Sequence, residues 1–123
     1  MSPYINKRSA KLLLEWCKEK YGPSHYHSIR TLSVRLDTGL EEMGMYFSKP
    51  NEIVVNPKNH RSLLEWCGTI IHEYTHFKQN MDKYGEYRNS YENHPYEITC
   101  NNREGRDKFE ARLWLLRKLR KKM

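Results

Sequence analysis

Apolar and polar residues recur along this chain with two different periods, and the switches between them mark out its elements. Residues 8–21, "RSAKLLLEWCKEKY", place Leu13, Leu14, Trp16 and Cys17 at helical spacing, which predicts an amphipathic helix stopped by Gly22 and Pro23. In residues 28–36, "SIRTLSVRL", Leu32, Val34 and Leu36 point one way and Ser33 and Arg35 the other, which predicts a half-buried strand. "MGMYF" (43–47) and "EIVV" (52–55) are short β-rich runs, and "SKPN" between them reads as a hairpin turn. Pro57 closes the second run. Helical spacing returns over residues 61–82, with Leu63, Leu64, Cys67, Ile70, Ile71, Tyr74 and Phe77 on a broad apolar face. Residues 83–94 are polar and tyrosine-rich and read as a loop. Pro95 suits a first helical turn, and the rest of the chain reads as a helix, bent or broken at Gly105. "LLEWC" occurs at 13–17 and again at 63–67, but the flanks differ, so both copies are read as core faces of separate helices.

This order of elements predicts an α+β fold spanning residues 1–123 as one domain. A small twisted antiparallel or mixed sheet of about three strands would sit beside its helices. At 123 residues a second ordinary domain has no room. Composition narrows the picture. No apolar run approaches the roughly 20 residues of a membrane span. "MSPYINKRSA" lacks the apolar core of a secretory signal, so a cytoplasmic location is expected, in a cell or in a virus-infected host. Three cysteines (Cys17, Cys67, Cys100) without a C-x-x-C pair fit free thiols in a reducing compartment. The net charge of +7 suits an anionic partner but identifies none.

Candidate chemistry lies in the second helix. His72, Glu73 and His76 form H-E-x-x-H. Positions four apart share a helix face, so both imidazoles can reach one metal ion. Glu73 is rotated away from His72 and can flank the ion without ligating it, placed to take a proton from water that the ion activates. Ile70 and Ile71 just before the motif predict partly buried histidines, and Gly68 leaves room one turn earlier. The pattern predicts one catalytic Zn2+, which requires a third protein donor and an open position. Downstream, "ENHPYEITCNN" offers three: Glu97 on a helix, His94 in a loop before Pro95, and Cys100. A Cys100 thiolate beside two histidines would favour a closed structural site. Asn101, one turn after Glu97, could orient a ligand histidine.

On these residues the chain resembles minimal gluzincin-type zinc metallopeptidases: the minigluzincins, the ImmA/IrrE-type proteins and phage-encoded relatives. The resemblance covers about residues 28–105 and rests on "HEYTH" and on the later "EITCN" as an E-x-x-x-[DN] motif. It implies zinc ligation by His72, His76 and Glu97, Glu73 as general base and acid, and Asn101 as partner of His72. It further implies a zincin-like fold with a backing helix, a small sheet, the motif helix and a glutamate helix. Peptide or protein substrate would pair with an edge strand, here "GMYF". Members of this kind can be latent. Thr99 and Cys100 depart from the usual acidic residue and alanine of the second motif. A SprT-like protease would use a third histidine instead, and His94 would serve, although Pro95 replaces the usual glycine after it. Tyr91, His94 and Tyr96 are candidates for stabilising the oxyanion.

The last stretch, about 106–123, interleaves Leu113, Leu116 and Leu119 with Arg117, Lys118, Arg120, Lys121 and Lys122. Such a helix can pack its leucines inward with its charges in water, or lie on nucleic acid, a membrane surface or an acidic protein. The rival function class is therefore a basic nucleic-acid-binding or protein-interaction module with a structural or degenerate zinc site. Oligomeric state is not legible in the sequence.

Overall fold

The computed structural model describes residues 2–87 and 94–120. Three helices, α1 (Lys7–Tyr21), α2 (Leu63–Phe77) and α3 (Pro95–Arg120), surround a sheet of three short strands, β1 (Ser33–Leu36), β2 (Gly44–Phe47) and β3 (Glu52–Val55). Two 3-10 turns, Pro57–Asn59 and Met81–Tyr87, complete the order. The architecture is α+β. No helix among the described residues is long and apolar enough to cross a membrane.

Local chemistry explains each boundary. Asn6 starts α1 through a reciprocal cap: its side chain accepts from the Ser9 amide at 3.0 Å, and Ser9 Oγ accepts from the Asn6 amide at 3.3 Å. Gly22 ends the helix at φ 75°, a left-handed conformation that glycine adopts without strain. Ser62 caps α2. Both "LLEWC" copies turn inward: Leu13, Cys17, Trp66 and Cys67 are completely or almost completely buried. Trp66 Nε1 donates to Ser9 Oγ at 2.9 Å, so the start of α1 is tied to α2 through a buried polar pair.

The sheet is mixed, in the order β1-β3-β2. β1 runs parallel to β3 with Val34 opposite Ile53, and β2 runs antiparallel to β3 with Tyr46 opposite Ile53. β2 is thus an edge strand with one row of backbone groups unpaired within the sheet. Asn51 closes the β2–β3 turn at φ 81°, a conformation asparagine tolerates, and accepts from the Tyr46 hydroxyl at 2.6 Å. The same side chain shortens the first strand. Its Nδ2 donates to Ser28 O and Thr31 Oγ1 at 2.6 and 2.9 Å and holds residues 28–31 in a turn. Pairing therefore starts at Ser33, not at Ser28.

α2 lies at the centre, packed on β2 and β3, on α1 and most extensively on α3. Ile70, Ile71, Tyr74 and Phe77 are fully buried there, each worth roughly 1.5–3 kcal/mol as removed apolar surface. The helix stops at Phe77, short of Asp82, because Asn80 Oδ1 turns the chain back by accepting from the Asp82 amide. Part of the expected 83–94 loop is the Met81–Tyr87 turn, and residues 88–93 lie outside the described residues.

α3 is continuous through Gly105, contrary to the break expected there. Both flanks are fastened: Glu104 reaches His72 of α2, and buried Asp107 accepts from the Tyr21 hydroxyl of α1 at 2.6 Å. These anchors offset the roughly 1 kcal/mol that glycine costs mid-helix. A Cβ at Gly105 would meet nothing within 4 Å. Gly105→Ala should therefore raise the unfolding free energy by about 0.5–1 kcal/mol in urea titrations. A loss of stability would mean that the backbone there is not helical.

Candidate metal centre

One helix and the start of another build the site. Within α2 the rings of His72 and His76 lie 5.2 Å apart between centroids. Pro95 opens α3, and its first turns carry Glu97 and Cys100 toward both rings. The Glu97 carboxylate spans them, with Oε1 2.9 Å from His72 Nε2 and Oε2 3.1 Å from His76 Nε2. His76, Glu97 and Cys100 are buried, and the His72 side chain is 12% exposed. The four residues each offer a donor atom, and these atoms lie within 4.8 Å of one another, so the cluster could hold a metal ion.

The far nitrogens are also held. His72 Nδ1 is 2.9 Å from Glu104 Oε1, and His76 Nδ1 is 2.8 Å from Gln79 Oε1. With Nδ1 donating to an oxygen acceptor, the Nε2 lone pair of each neutral ring is left for an ion. Gln79 is itself fixed, since its Nε2 donates to Tyr96 O at 3.1 Å. The Cys100 thiol approaches from this same side, with Sγ 3.5 Å from His76 Nδ1. Burial, followed by the charges of Glu97 and Glu73, holds its pKa well above that of an ordinary thiol.

Electrostatics sharpen the contrast between groups. Burial alone would lower the His72 pKa, but hydrogen bonds to Glu104 and Glu97 override it and hold the imidazole up at about 10. For Glu97 burial works upward, yet His72, His76 and the Tyr84 hydroxyl together pull its pKa far below the carboxylate range. Glu73 goes the other way. It is 7% exposed, has no hydrogen-bond partner among the described residues, and burial raises its pKa against the downward pull of both histidines.

A cleft opens onto these groups. One lobe of about 300 Å³ is bounded by Met45 and Tyr46 of β2, by Tyr84, and by His72, Glu73, His76 and Glu97. A second of similar size continues past His72 and Glu73 to Asn101 and Glu104. Gly44 lies where the two meet. A Cβ there would come within 2.7 Å of Thr69 Cγ2 and 3.3 Å of Glu73 Cγ. Its missing side chain lets β2 run directly along the motif helix. Gly68 does a similar service on the other face of α2. A Cβ on it would lie 2.8 Å from Glu104 Oε2, so the glycine makes room for the carboxylate that supports His72.

The structure brings His72, Glu73, His76 and Glu97 together. It does not bring Asn101 to His72. Asn101 is exposed on the second lobe, and Glu104, seven residues after Glu97 on the same face of α3, occupies the place expected for it. His94 is buried but turned elsewhere: Nε2 donates to Tyr84 O at 2.9 Å and Nδ1 accepts from the Tyr96 amide at 3.1 Å. It stacks on Tyr84 at 4.0 Å and so props the ring whose hydroxyl donates to Glu97. Tyr96 is half-buried beside Tyr84, and neither lobe of the cleft is lined by it. Tyr91 falls outside the described residues.

Reading the sequence missed Glu104, Gln79 and Tyr84. Glu104 had a signal in its helical register with Glu97, and Gln79 in following His76 by three. Tyr84 had none. His60 is the buried C-cap of the Pro57–Asn59 turn, with Nδ1 2.7 Å from Asn56 O and Nε2 2.7 Å from Thr69 Oγ1.

Comparison of the chain with family models, with curated proteins and with solved structures finds no match.

The two carboxylates flanking His72 favour its protonated form in metal-free protein, and that proton must leave before the ring can ligate a metal. Zinc titrated at pH 8 should thus release about one proton, read from binding heats in buffers of different ionisation enthalpy. A buffer-independent heat would contradict the pairing. His72 also couples stability to pH. Its folded pKa exceeds the ordinary 6.5, so its contribution is complete below that pH and fades as pH rises through about 10. Urea midpoints of chelated protein measured across that interval should fall.

Proposed function

We propose that this chain is a zinc-dependent peptidase of the minimal gluzincin type, with a zincin-like fold. The observation that carries the reading is the convergence of His72 Nε2 and His76 Nε2 on the Glu97 carboxylate, beside a Glu73 that has no hydrogen-bond partner among the described residues and lines the same cleft. Two imidazoles and a carboxylate are a donor set suited to zinc, and the cleft side is left for substrate. The backing helix α1, the small sheet, the motif helix and the glutamate helix follow the order that the resemblance implies. Three buried free cysteines suit a reducing compartment.

Zinc would supply a Lewis acid that polarises a scissile carbonyl and acidifies water. The chain does the rest. Glu73, poorly solvated and with a raised pKa, takes a proton from the attacking water and passes it to the leaving amine. The unpaired edge of β2 offers main-chain groups to an extended peptide, which lays its backbone across Glu73. Tyr84 and His94 steady Glu97, and Glu104 and Gln79 fix the two rings, so the donors keep their geometry through a catalytic cycle.

One observation favours a second reading, a closed structural site. The Cys100 thiol offers a donor atom within 4.8 Å of those of His72, His76 and Glu97, and so could count as a fourth donor. Two variants separate the readings. Glu73→Gln should keep one zinc by elemental analysis and lose about 10²–10⁴-fold in peptide cleavage scored by mass spectrometry. Cys100→Ser should keep both zinc and cleavage. Loss of zinc in Cys100→Ser, with wild-type protein inert toward peptides, would establish the closed site.

A further inference from the structure

The cleft has a charge opposite to that of the molecule around it. Lys and Arg number 22 against 15 Asp and Glu in the chain, yet among the described residues neither lobe is lined by a lysine or arginine. The charged described residues on their walls, apart from the two histidines, are Glu42, Glu73, Glu97 and Glu104. A divalent ion would offset two of those four carboxylates and leave two.

Their commitments differ. Glu97 is engaged by His72, His76 and Tyr84, and Glu104 by His72. Glu73 is 7% exposed, without a hydrogen-bond partner among the described residues, and borders both lobes. A carboxylate so poorly solvated and facing an open cleft points to an occupant that complements it. Glu42 also borders both lobes, with an exposed side chain that makes no hydrogen bond or ion pair among the described residues. Its position is fixed from behind. Asn59 Nδ2 donates to the carbonyls of Leu40, Glu41 and Glu42 at 3.0–3.2 Å, and Asn56 Nδ2 to those of Thr38 and Leu40.

Resting on the peptidase reading, we propose that the cleft selects peptides with a lysine or arginine next to the bond to be cut, and that Glu42 is the residue that reads this cation. An extended peptide alternates its side chains across the strand it joins. Glu42 lies two residues before β2 and borders both lobes beside Gly44, within reach of a side chain next to the scissile bond of a peptide that follows this strand. The +7 charge of the whole chain opposes a cationic peptide at long range, but at physiological ionic strength screening reaches about 8 Å and the nearest carboxylates decide. A carboxylate on a wall beside low-dielectric protein is also stronger than a free surface charge.

The test uses two peptides identical except for Lys or Glu beside the cleavage site, at 150 mM salt. The zinc-loaded wild type should show kcat/KM at least about fivefold higher for the Lys peptide. Glu42→Gln should erase that preference and Glu42→Lys reverse it, both with unchanged zinc content and circular dichroism. In parallel, binding of the same fluorescent peptides to zinc-loaded Glu73→Gln is followed by anisotropy, with and without the Glu42 change. Cleavage without a charge preference, or a preference indifferent to Glu42, overturns the inference and leaves the peptidase reading standing. Glu42-dependent binding of the Lys peptide with no cleavage by wild type sinks the peptidase reading and keeps the cation-reading cleft. Neither cleavage nor binding overturns both.

Discussion

A single carboxylate, that of Glu97, faces two imidazoles from the neighbouring helix, and much of the molecule is arranged so that it can. The three groups are nearly dry, so their attraction is little screened, but removing them from water costs several kcal/mol per charge. That cost is recovered only with good geometry. α2 and α3 must meet closely and in one register. Gly68 removes the methyl that would collide with Glu104, and the apolar face of α2 fixes its rotation through Ile70, Ile71 and Phe77. Around them, α1 and the sheet serve largely to hold α2 in place, tied by the Trp66–Ser9 bond at one end and the Tyr74 hydroxyl on Gly22 O at the other.

How much of this was legible follows from range. Local periodicity located α1 and α2 to within a few residues at most ends, and both hairpin strands, because each buries one face against a common core. The trimming of the first strand was invisible, since it depends on Asn51 reaching back to Ser28 and Thr31 across the fold. The parallel pairing of β1 with β3 was equally hidden, being a matter of topology. Gly105 misled because propensity is a weak prior that two tertiary anchors override.

The candidate site divides along the same line. His72, Glu73 and His76 are a local pattern, and Glu97 follows from the next helix. Which residue supports His72 depends on how α3 is rolled against α2, and one helical turn separates Asn101 from Glu104. Tyr84 belongs to a segment with no periodic signal at all, and only the folded chain brings its hydroxyl to Glu97.

The two imidazoles are not equivalent, because Glu104 backs His72 with a full negative charge while Gln79 backs His76 with a neutral amide. A carboxylate behind an imidazole makes it the stronger electron donor. For any ion seated between them, His72 is the firmer grip and His76 the weaker one. Were an ion seated there, its bond to His76 would be the first to open when a chelator or a competing ion draws it out.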